Sequence, residues 1–155
     1  SKAACVIYML RNILGDTVFF NCIKAYTTNP DFMYGNISTE QFINFMNEQS
    51  GTDLNWFFDE WLFKPSHPVY QNNSRIEESG KGNWKINYTI NQIQKNTGFY
   101  KMPVELKVTF QNGKDTTISV NNDYNLQMFS FDFKEEPKKI TFDPDNKIVL
   151  KEIKN

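Results

Sequence analysis

The sequence predicts an α+β protein in two segments, with an N-terminal all-α helical subdomain at residues 1–66 followed by an all-β immunoglobulin-like sandwich at residues 67–155. Apolar residues recur at helical spacing up to Leu62 and then at every second position, which is the spacing of half-buried strands. Between the two patterns stand Pro65 and Pro68, which cannot both occupy a helix interior. We therefore expect the boundary between the segments at these prolines.

Two helices are expected at the start of the chain, where apolar residues are helically spaced from Val6 to Leu14 and again from Phe19 to Tyr26. Gly15 is suited to end the first helix. Asp16 is suited to accept hydrogen bonds from the free amide groups at the start of the second. The two helices should form a hairpin.

Two more helices are expected before the prolines. Ser38 and Gln41 have the spacing of a capping box, so the third helix should begin near Thr39 and stop around Ser50. The fourth helix, Leu54 to Leu62, carries apolar residues around so much of its circumference that it should be buried on more than one side. We expect it to require neighbours that this short chain does not supply.

About seven strands are expected in the second segment, a number typical of an immunoglobulin-like sandwich. Each strand carries apolar residues on one face, and turn-forming residues separate most of the strands. The strands contain Val69 to Ile76, Trp84 to Ile90, Val104 to Phe110, Ile118 to Val120, Phe129 to Phe133, Ile140 to Phe142 and Ile148 to Ile153.

Composition and charge exclude several classes of function. The 17 basic and 18 acidic side chains give a net charge of −1, and no run of Lys or Arg could neutralise a row of phosphates. No stretch approaches the roughly 18 apolar residues of a membrane span. The start, Ser1 to Cys5, lacks the features of a signal peptide, so either the mature chain begins here or something upstream was removed. We expect a soluble protein without a nucleic-acid partner. The sequence does not indicate the cellular compartment.

His67 is the only histidine, and this excludes most histidine-built sites. A His-Glu-x-x-His zinc motif needs two imidazoles one helical turn apart. A Ser-His-Asp or Cys-His arrangement would have to use His67, which lies in a proline-flanked linker without a supporting pattern. We expect a partly exposed hinge residue instead.

Paired acids could hydrolyse glycosides without histidine, but adjacent acids point in different directions on a helix and to opposite faces of a strand. Solvated charge is therefore the favoured interpretation of the three candidate pairs, Asp59-Glu60, Glu77-Glu78 and Glu135-Glu136.

The aromatic residues of the second segment could form a sugar-stacking platform, but most alternate in phase with Ile and Val and are expected in the core. Phe99 and Tyr100, near a turn, could be exposed. Cys5 and Cys22 are expected to be free, small apolar residues; a bridge between them stays open if the first two helices pack antiparallel.

Several motifs follow one another in the helical segment. They are Lys2-Ala3-Ala4 with Met9-Leu10-Arg11, Gly15-Asp16 with Phe19-Phe20, Asn36 with Thr39 to Phe42, and the stretch from Ser50 to Leu62 followed by Pro65 and Pro68. Their order resembles the end of the catalytic domain of zinc aminopeptidases related to aminopeptidase N, the gluzincin metallopeptidases. The stretch from Ser50 to Leu62 has the most specific likeness, and Ala3 stands where the family usually has Gly.

The resemblance implies that this sequence is a structural and inactive C-terminal part of a zinc-dependent aminopeptidase, which releases N-terminal amino acids from peptides. In that family the zinc ligands, the general base and an oxyanion-stabilising Tyr lie upstream of the matching motifs. The resemblance therefore assigns no catalytic and no metal-binding residue to this sequence, and substrate-binding residues stay unknown. The partner it implies is the upstream catalytic domain of the same polypeptide, with a peptide as the substrate of the parent enzyme.

The alternative hypothesis is a non-catalytic β-sandwich binding or interaction module with a helical dock. The two hypotheses differ in the expected burial of Trp56, Phe57 and Trp61. Packing of these side chains within the chain favours the module, whereas exposure favours a missing catalytic body. A homologue that has lost its metal site is a third possibility that the sequence leaves open.

Overall fold

Four helices build the first of two compact units, Ser1–Pro65, in the computed structural model, which describes all 155 residues. The second unit, Ser66–Asn155, contains the strands. The α+β class predicted from the change of period is confirmed. The helices are α1 (Lys2–Leu14), α2 (Asp16–Thr27), α3 (Thr39–Ser50) and α4 (Asn55–Phe58), the last of which continues into a π-helical turn at Asp59–Phe63.

The junction of α1 and α2 is formed by Gly15, whose φ of 76° favours glycine. Its N–H donates to the carbonyl of Arg11 at 2.8 Å and ends α1 as predicted. The capping role expected of Asp16 is wrong, because no side chain caps the start of α2. The Asp16 carboxylate instead accepts two hydrogen bonds from the Arg11 guanidinium, at 2.7 and 3.0 Å. A charged, bidentate partner one turn back competes successfully with the backbone amides.

Helix α3 begins at Thr39, as predicted from its capping box. The N–H of Gln41 donates to Ser38 Oγ at 3.1 Å, and the N–H of Ser38 donates to Gln41 Oε1 at 2.8 Å. Gly51, in the left-handed conformation with a φ of 65°, ends the helix.

The fourth helix differs from its prediction in two ways. The predicted single helix from Leu54 to Leu62 is a short α-helix that widens into a π-helical turn, closed by a hydrogen bond from the N–H of Lys64 to the carbonyl of Asp59 at 3.2 Å. Phe57 and Trp61 are fully buried within this chain. The expectation that this helix lacks neighbours here is therefore wrong, because the chain itself covers its apolar residues.

Aromatic rings fill much of the interior of the helical unit. Tyr26 contacts Phe32, Phe42 and Phe45, with ring centroids 5.4 to 5.9 Å apart. Phe42 also meets Phe58 edge-on at 6.0 Å. Edge-to-face pairs of this kind add to the free energy gained from burying the rings, and they fix the spacing of α2, α3 and α4.

Eight strands form the second unit. The predicted first strand is divided into β1 and β2, and the predicted last strand shrinks to β8, because the amides of residues 147 and 148 bind a side chain rather than a strand. The strands are β1 (Val69–Tyr70), β2 (Asn73–Gly80), β3 (Asn83–Ile90), β4 (Met102–Phe110), β5 (Asp115–Asn122), β6 (Gln127–Phe133), β7 (Pro137–Phe142) and β8 (Glu152–Ile153).

The strands pair into two antiparallel three-stranded sheets, in the orders β2-β3-β6 and β5-β4-β7, and a parallel pair, β1-β8. In β3 and β4 the residues at every second position are buried, as their alternation predicted. Phe110 of β4 and Phe133 of β6 meet edge-on at 5.2 Å. Both larger sheets therefore contribute side chains to one core.

Candidate functional site

His67 lies half-exposed near the start of the second unit. Its Nε2 atom is 4.0 Å from Glu152 Oε2, and 44% of its side chain is exposed. Such an exposed pair contributes little stability. Nowhere in the chain do three or more His, Cys, Asp or Glu side chains come together in a way that could hold a metal ion.

The candidate acid pairs include one exception to the expected solvated charge. Glu77 pairs with Arg75 at 3.0 Å and Glu135 with Lys114 at 3.7 Å, both at the surface. Glu60, by contrast, is buried, with 8% of its area exposed. The wider π-helical turn shifts the inward-facing positions along the chain, so that Glu60 and Trp61 are both buried. The prediction of solvated charge is wrong for Glu60.

Both cysteines are free thiols, so the alternative of a bridge between Cys5 and Cys22 is wrong. Cys22 is buried in α2, and burial raises the pKa of its thiol. A higher thiol pKa leaves less of the reactive thiolate near neutral pH. Cys22 therefore has the character of a small core residue.

The aromatic residues of the second unit do not form an exposed platform. Tyr88 and Tyr100 are buried, and the inward-facing rings of β6 are half-buried. Tyr100 therefore differs from the expectation that it could be exposed. The large apolar side chains that do reach solvent here include Tyr124, Leu126 and Met128, which lie on one turn and the strand after it.

An apolar groove beside the start of α1 is the most distinctive surface of the helical unit. It encloses about 280 Å³ and its only polar side-chain groups are the hydroxyls of Tyr26, Ser38 and Thr39. Its walls come from all the helices of the unit and from the segment before α3, namely Ala3, Val6, Ile7, Tyr26, Ile37, Ser38, Thr39, Phe42, Phe58 and Leu62.

The walls of this groove are held by contacts already described. Phe42 is fixed between Tyr26 and Phe58, and the hydroxyl of Ser38 is occupied by the capping box. The lining contains no carboxylate, imidazole, thiol or amine. The groove can accept apolar side chains, but it offers no general acid or base and no metal ligand.

Comparison with known proteins gives a family for the helical unit. Residues 1–61 match the model of the peptidase family M1 domain. We call residues 1–61 the M1 segment after this match. This confirms the resemblance to aminopeptidases related to aminopeptidase N.

Curated relatives of the chain are named as aminopeptidases. "Probable aminopeptidase 1" of Sulfurisphaera tokodaii is 26% identical over 122 residues, which cover 79% of this chain and 14% of that protein. "Aminopeptidase N" of Lactococcus lactis subsp. lactis is 36% identical over 69 residues, which cover 44% of this chain and 8% of that protein. The chain therefore spans only a small part of the length of the relatives it matches.

A solved structure shares the fold of the whole chain. The crystal structure of Legionella pneumophila aminopeptidase A superposes with a TM-score of 0.70 over 99% of this chain and 17% of its own, at 16% sequence identity. No helix of the M1 segment, or of the rest of the chain, is long and apolar enough to cross a membrane.

Sequence reasoning missed the groove. Its one detectable sign is that Ala3 and Ile7, four residues apart on α1, continue an apolar stripe beyond the buried Val6, Met9 and Leu10. Helical spacing reports that such a stripe exists, but it does not report which part of the stripe the chain leaves uncovered.

Proposed function

We propose that this chain is the C-terminal part of a zinc-dependent aminopeptidase that releases N-terminal amino acids from peptides. It comprises the end of the M1 catalytic domain followed by a sandwich domain, and it is structural and inactive by itself. The observation that carries the proposal is the alignment with the Sulfurisphaera tokodaii relative over 122 residues, more than either unit contains. The alignment thus extends across both units, in a protein named as an aminopeptidase.

The zinc of such an enzyme does not fit the residues of this chain. The chain has one histidine, and no three potential ligands come together. Zinc sites in catalytic proteins take three protein ligands. The ligands, the general base and any oxyanion-stabilising group are therefore assigned to the part of the polypeptide outside these 155 residues.

The sandwich is proposed to be immunoglobulin-like. Its sheets join strand β3 to β2 and β6, and strand β4 to β5 and β7. Chain order that alternates between two antiparallel sheets in this way is the arrangement of immunoglobulin-type sandwiches. A structure of the polypeptide with both sheets in a different order would contradict this assignment.

The apolar groove is proposed as the seat for an apolar segment of the upstream catalytic domain. The curated relatives are many times longer than this chain, so most of their sequence lies outside the part that it matches. The groove lies beside Ala3 and Ile7, at the start of the M1 match. Its lack of ionisable groups suits an apolar packing surface rather than a site for chemistry.

The test uses the polypeptide that extends this sequence on its N-terminal side. Zinc content and release of amino acids from aminoacyl 4-nitroanilides are measured for it and for the 155-residue chain alone. We expect activity that a chelator removes in the longer protein and none in the shorter one. The proposal would be contradicted by a longer protein that binds zinc but does not cleave the nitroanilides, or by a shorter one that does cleave them.

A paired substitution tests the groove itself. Ile7→Glu places a charge in the groove, whereas Thr17→Glu places the same charge on an exposed position of α2. In the longer protein, Ile7→Glu should lower activity at least tenfold while Thr17→Glu leaves it unchanged, because an unpaired carboxylate resists burial in an apolar interface. Equal activity of the two variants would rule out docking at this groove.

One observation favours the alternative of a non-catalytic binding or interaction module. Phe57 and Trp61 are fully buried within the chain, and Trp56 is partly buried, so the fourth helix does not require a missing body. The zinc content and the activity of the longer protein distinguish this alternative from the aminopeptidase proposal. A longer protein without zinc and without activity favours the module or a homologue that has lost its metal site.

A further inference from the structure

The loop that follows β7 surrounds the ammonium group of Lys151. Lys151 Nζ donates to Asp143 Oδ2 at 2.6 Å, to Asn146 Oδ1 at 2.7 Å and to the carbonyl of Ile148 at 2.8 Å. An ammonium has three N–H donors, and each has an acceptor here. Lys151 thus resembles a small cation in a coordination shell of three oxygens.

The pair of charges at the centre of this loop is almost fully removed from solvent. The side chains of Lys151 and Asp143 are 7% and 2% exposed. Asp143 also accepts from the N–H groups of Lys147 and Ile148, at 2.8 and 3.0 Å. Removing one partner of a buried ion pair is strongly destabilising, because the charge that remains is buried without compensation.

The neighbouring lysine of the same loop behaves differently. Lys147 Nζ donates to Glu105 Oε1 at 2.6 Å, but its side chain is 38% exposed. The Glu105 carboxylate raises the pKa of Lys147 through this hydrogen bond, as expected of a surface ion pair. Of these two lysines, four residues apart, Lys147 forms an ion pair at the surface and Lys151 forms a buried one.

The buried pair stands directly before the C-terminal strand. The N–H of Glu152 donates to the carbonyl of Pro68 at 3.1 Å, and the N–H of Lys154 donates to the carbonyl of Tyr70 at 2.8 Å. Those bonds attach β8 to β1. A strand of two residues has too few hydrogen bonds to hold itself in place.

We propose that residues 143–148 form a cation-binding loop whose cation is the ammonium group of Lys151, and that this pair latches the C-terminal strand onto β1. The three oxygens suit a small monocation, and the chain supplies that cation itself as the Lys151 ammonium group. The proposal concerns the second unit alone and does not depend on the peptidase assignment.

Chemical rescue tests the cation site. Lys151→Ala should melt about 10 °C below the unsubstituted chain, because it leaves the Asp143 carboxylate buried without its counter-ion. Methylammonium chloride, but not the same concentration of tetramethylammonium chloride, should recover part of this loss, since only the smaller cation fits the loop. Lys147→Ala is the control and should melt within about 2 °C of the unsubstituted chain. Equal effects of the two salts would overturn the proposal.

Hydrogen exchange tests the latch. Exchange of the Lys154 amide should accelerate at least tenfold in Lys151→Ala and stay unchanged in Lys147→Ala, because only the first releases β8. If Lys151→Ala does not fold, Lys151→Gln is compared with Asp143→Asn/Lys151→Gln. The double variant should melt above Lys151→Gln, since it leaves no unpaired buried charge. A double variant no more stable than Lys151→Gln would overturn the latch.

Discussion

Asn47 of α3 holds the backbone of Leu54. The N–H of Leu54 donates to Asn47 Oδ1 at 2.7 Å, and Asn47 Nδ2 donates to Asn55 Oδ1 at 2.9 Å. One amide side chain thus joins the end of α3 to the start of α4, immediately before the fully buried Phe57. The hydrogen bonds of Asn47 also position the walls of the groove that we propose as a docking surface. Phe42 and Phe58 line that groove, and they lie on the two helices that Asn47 connects.

Loss of the Asn47 side chain should destabilise the helical unit. Asn47→Ala should lower the free energy of unfolding by about 2 kcal/mol, because the N–H of the buried Leu54 loses its acceptor. Urea titration followed by far-ultraviolet circular dichroism measures the change. Asn44→Ala, on the exposed side of the same helix, is the matched control and should change it by less than about 0.5 kcal/mol. Equal stability of the two variants would contradict the role of Asn47.

The capping box of α3 yields a second prediction. Ser38→Ala should cost about 1 kcal/mol of stability, because the amide of Gln41 loses its acceptor at the start of the helix. Ser38→Asp should retain most of the stability, since its carboxylate also caps. Thermal or urea unfolding of the three proteins checks this, and an Asp variant as weak as the Ala variant would show that capping is unimportant here.

Gln92 joins the two ends of the segment between β3 and β4 and is 5% exposed. Its Nε2 atom donates to the carbonyl of Tyr100 at 2.7 Å, and its Oε1 atom accepts from the N–H of Tyr100 at 2.9 Å. Gln92→Leu should lower the free energy of unfolding by about 3 kcal/mol, because two buried backbone groups lose these bonds together. Gln71→Leu, at an exposed position, serves as control. A loss in urea unfolding no larger than that of the control would contradict this account.

The raised pKa of Tyr88 predicts that the chain loses stability at alkaline pH. Burial raises its pKa to about 12, against a smaller opposing effect of a hydrogen bond with Asn72. The unfolded chain loses this proton near the ordinary pKa of 10, so between the two values the unfolded state binds fewer protons and stability falls as pH rises.

The measurement compares the unsubstituted chain with Tyr88→Phe. Raising the pH from about 8 to about 11 should cost the unsubstituted chain about 1 kcal/mol more than the variant, which has no proton to lose at this position. Other groups that titrate in this range affect both proteins alike. Identical pH dependence of the two would show that Tyr88 ionises normally in the folded chain.

The sequence predicted best the features that depend on neighbours along the chain. Helix α3 begins where Ser38 and Gln41 predict it, because the two bonds of a capping box join residues three positions apart. Gly15 ends α1 for an equally local reason. The alternation in β3 and β4 predicted their buried faces, since side chains on a strand point to opposite sides in turn.

Predictions failed where a hydrogen-bonding group found a partner other than the one that the local sequence pattern suggested. Asp16 could have capped α2, but the Arg11 guanidinium takes its carboxylate. The last strand was expected to begin at Ile148, but the side chain of Asp143 binds the amide of that residue. In both cases an ionised carboxylate makes stronger hydrogen bonds than the expected arrangement provides.

The sequence by itself determined the α+β class, the change of pattern at Pro65 and Pro68, the absence of a histidine pair and the likeness to M1 aminopeptidases, because composition, spacing and motif order are properties of the chain. Only the tertiary structure decided that Phe57 and Trp61 are covered, that Ile7 lies in an open groove, and that Lys151 neutralises Asp143. The sequence shows which apolar side chains need to be covered and which charged side chains need a counter-ion. Which partner each side chain finds depends on packing in space, where groups far apart in the chain become neighbours.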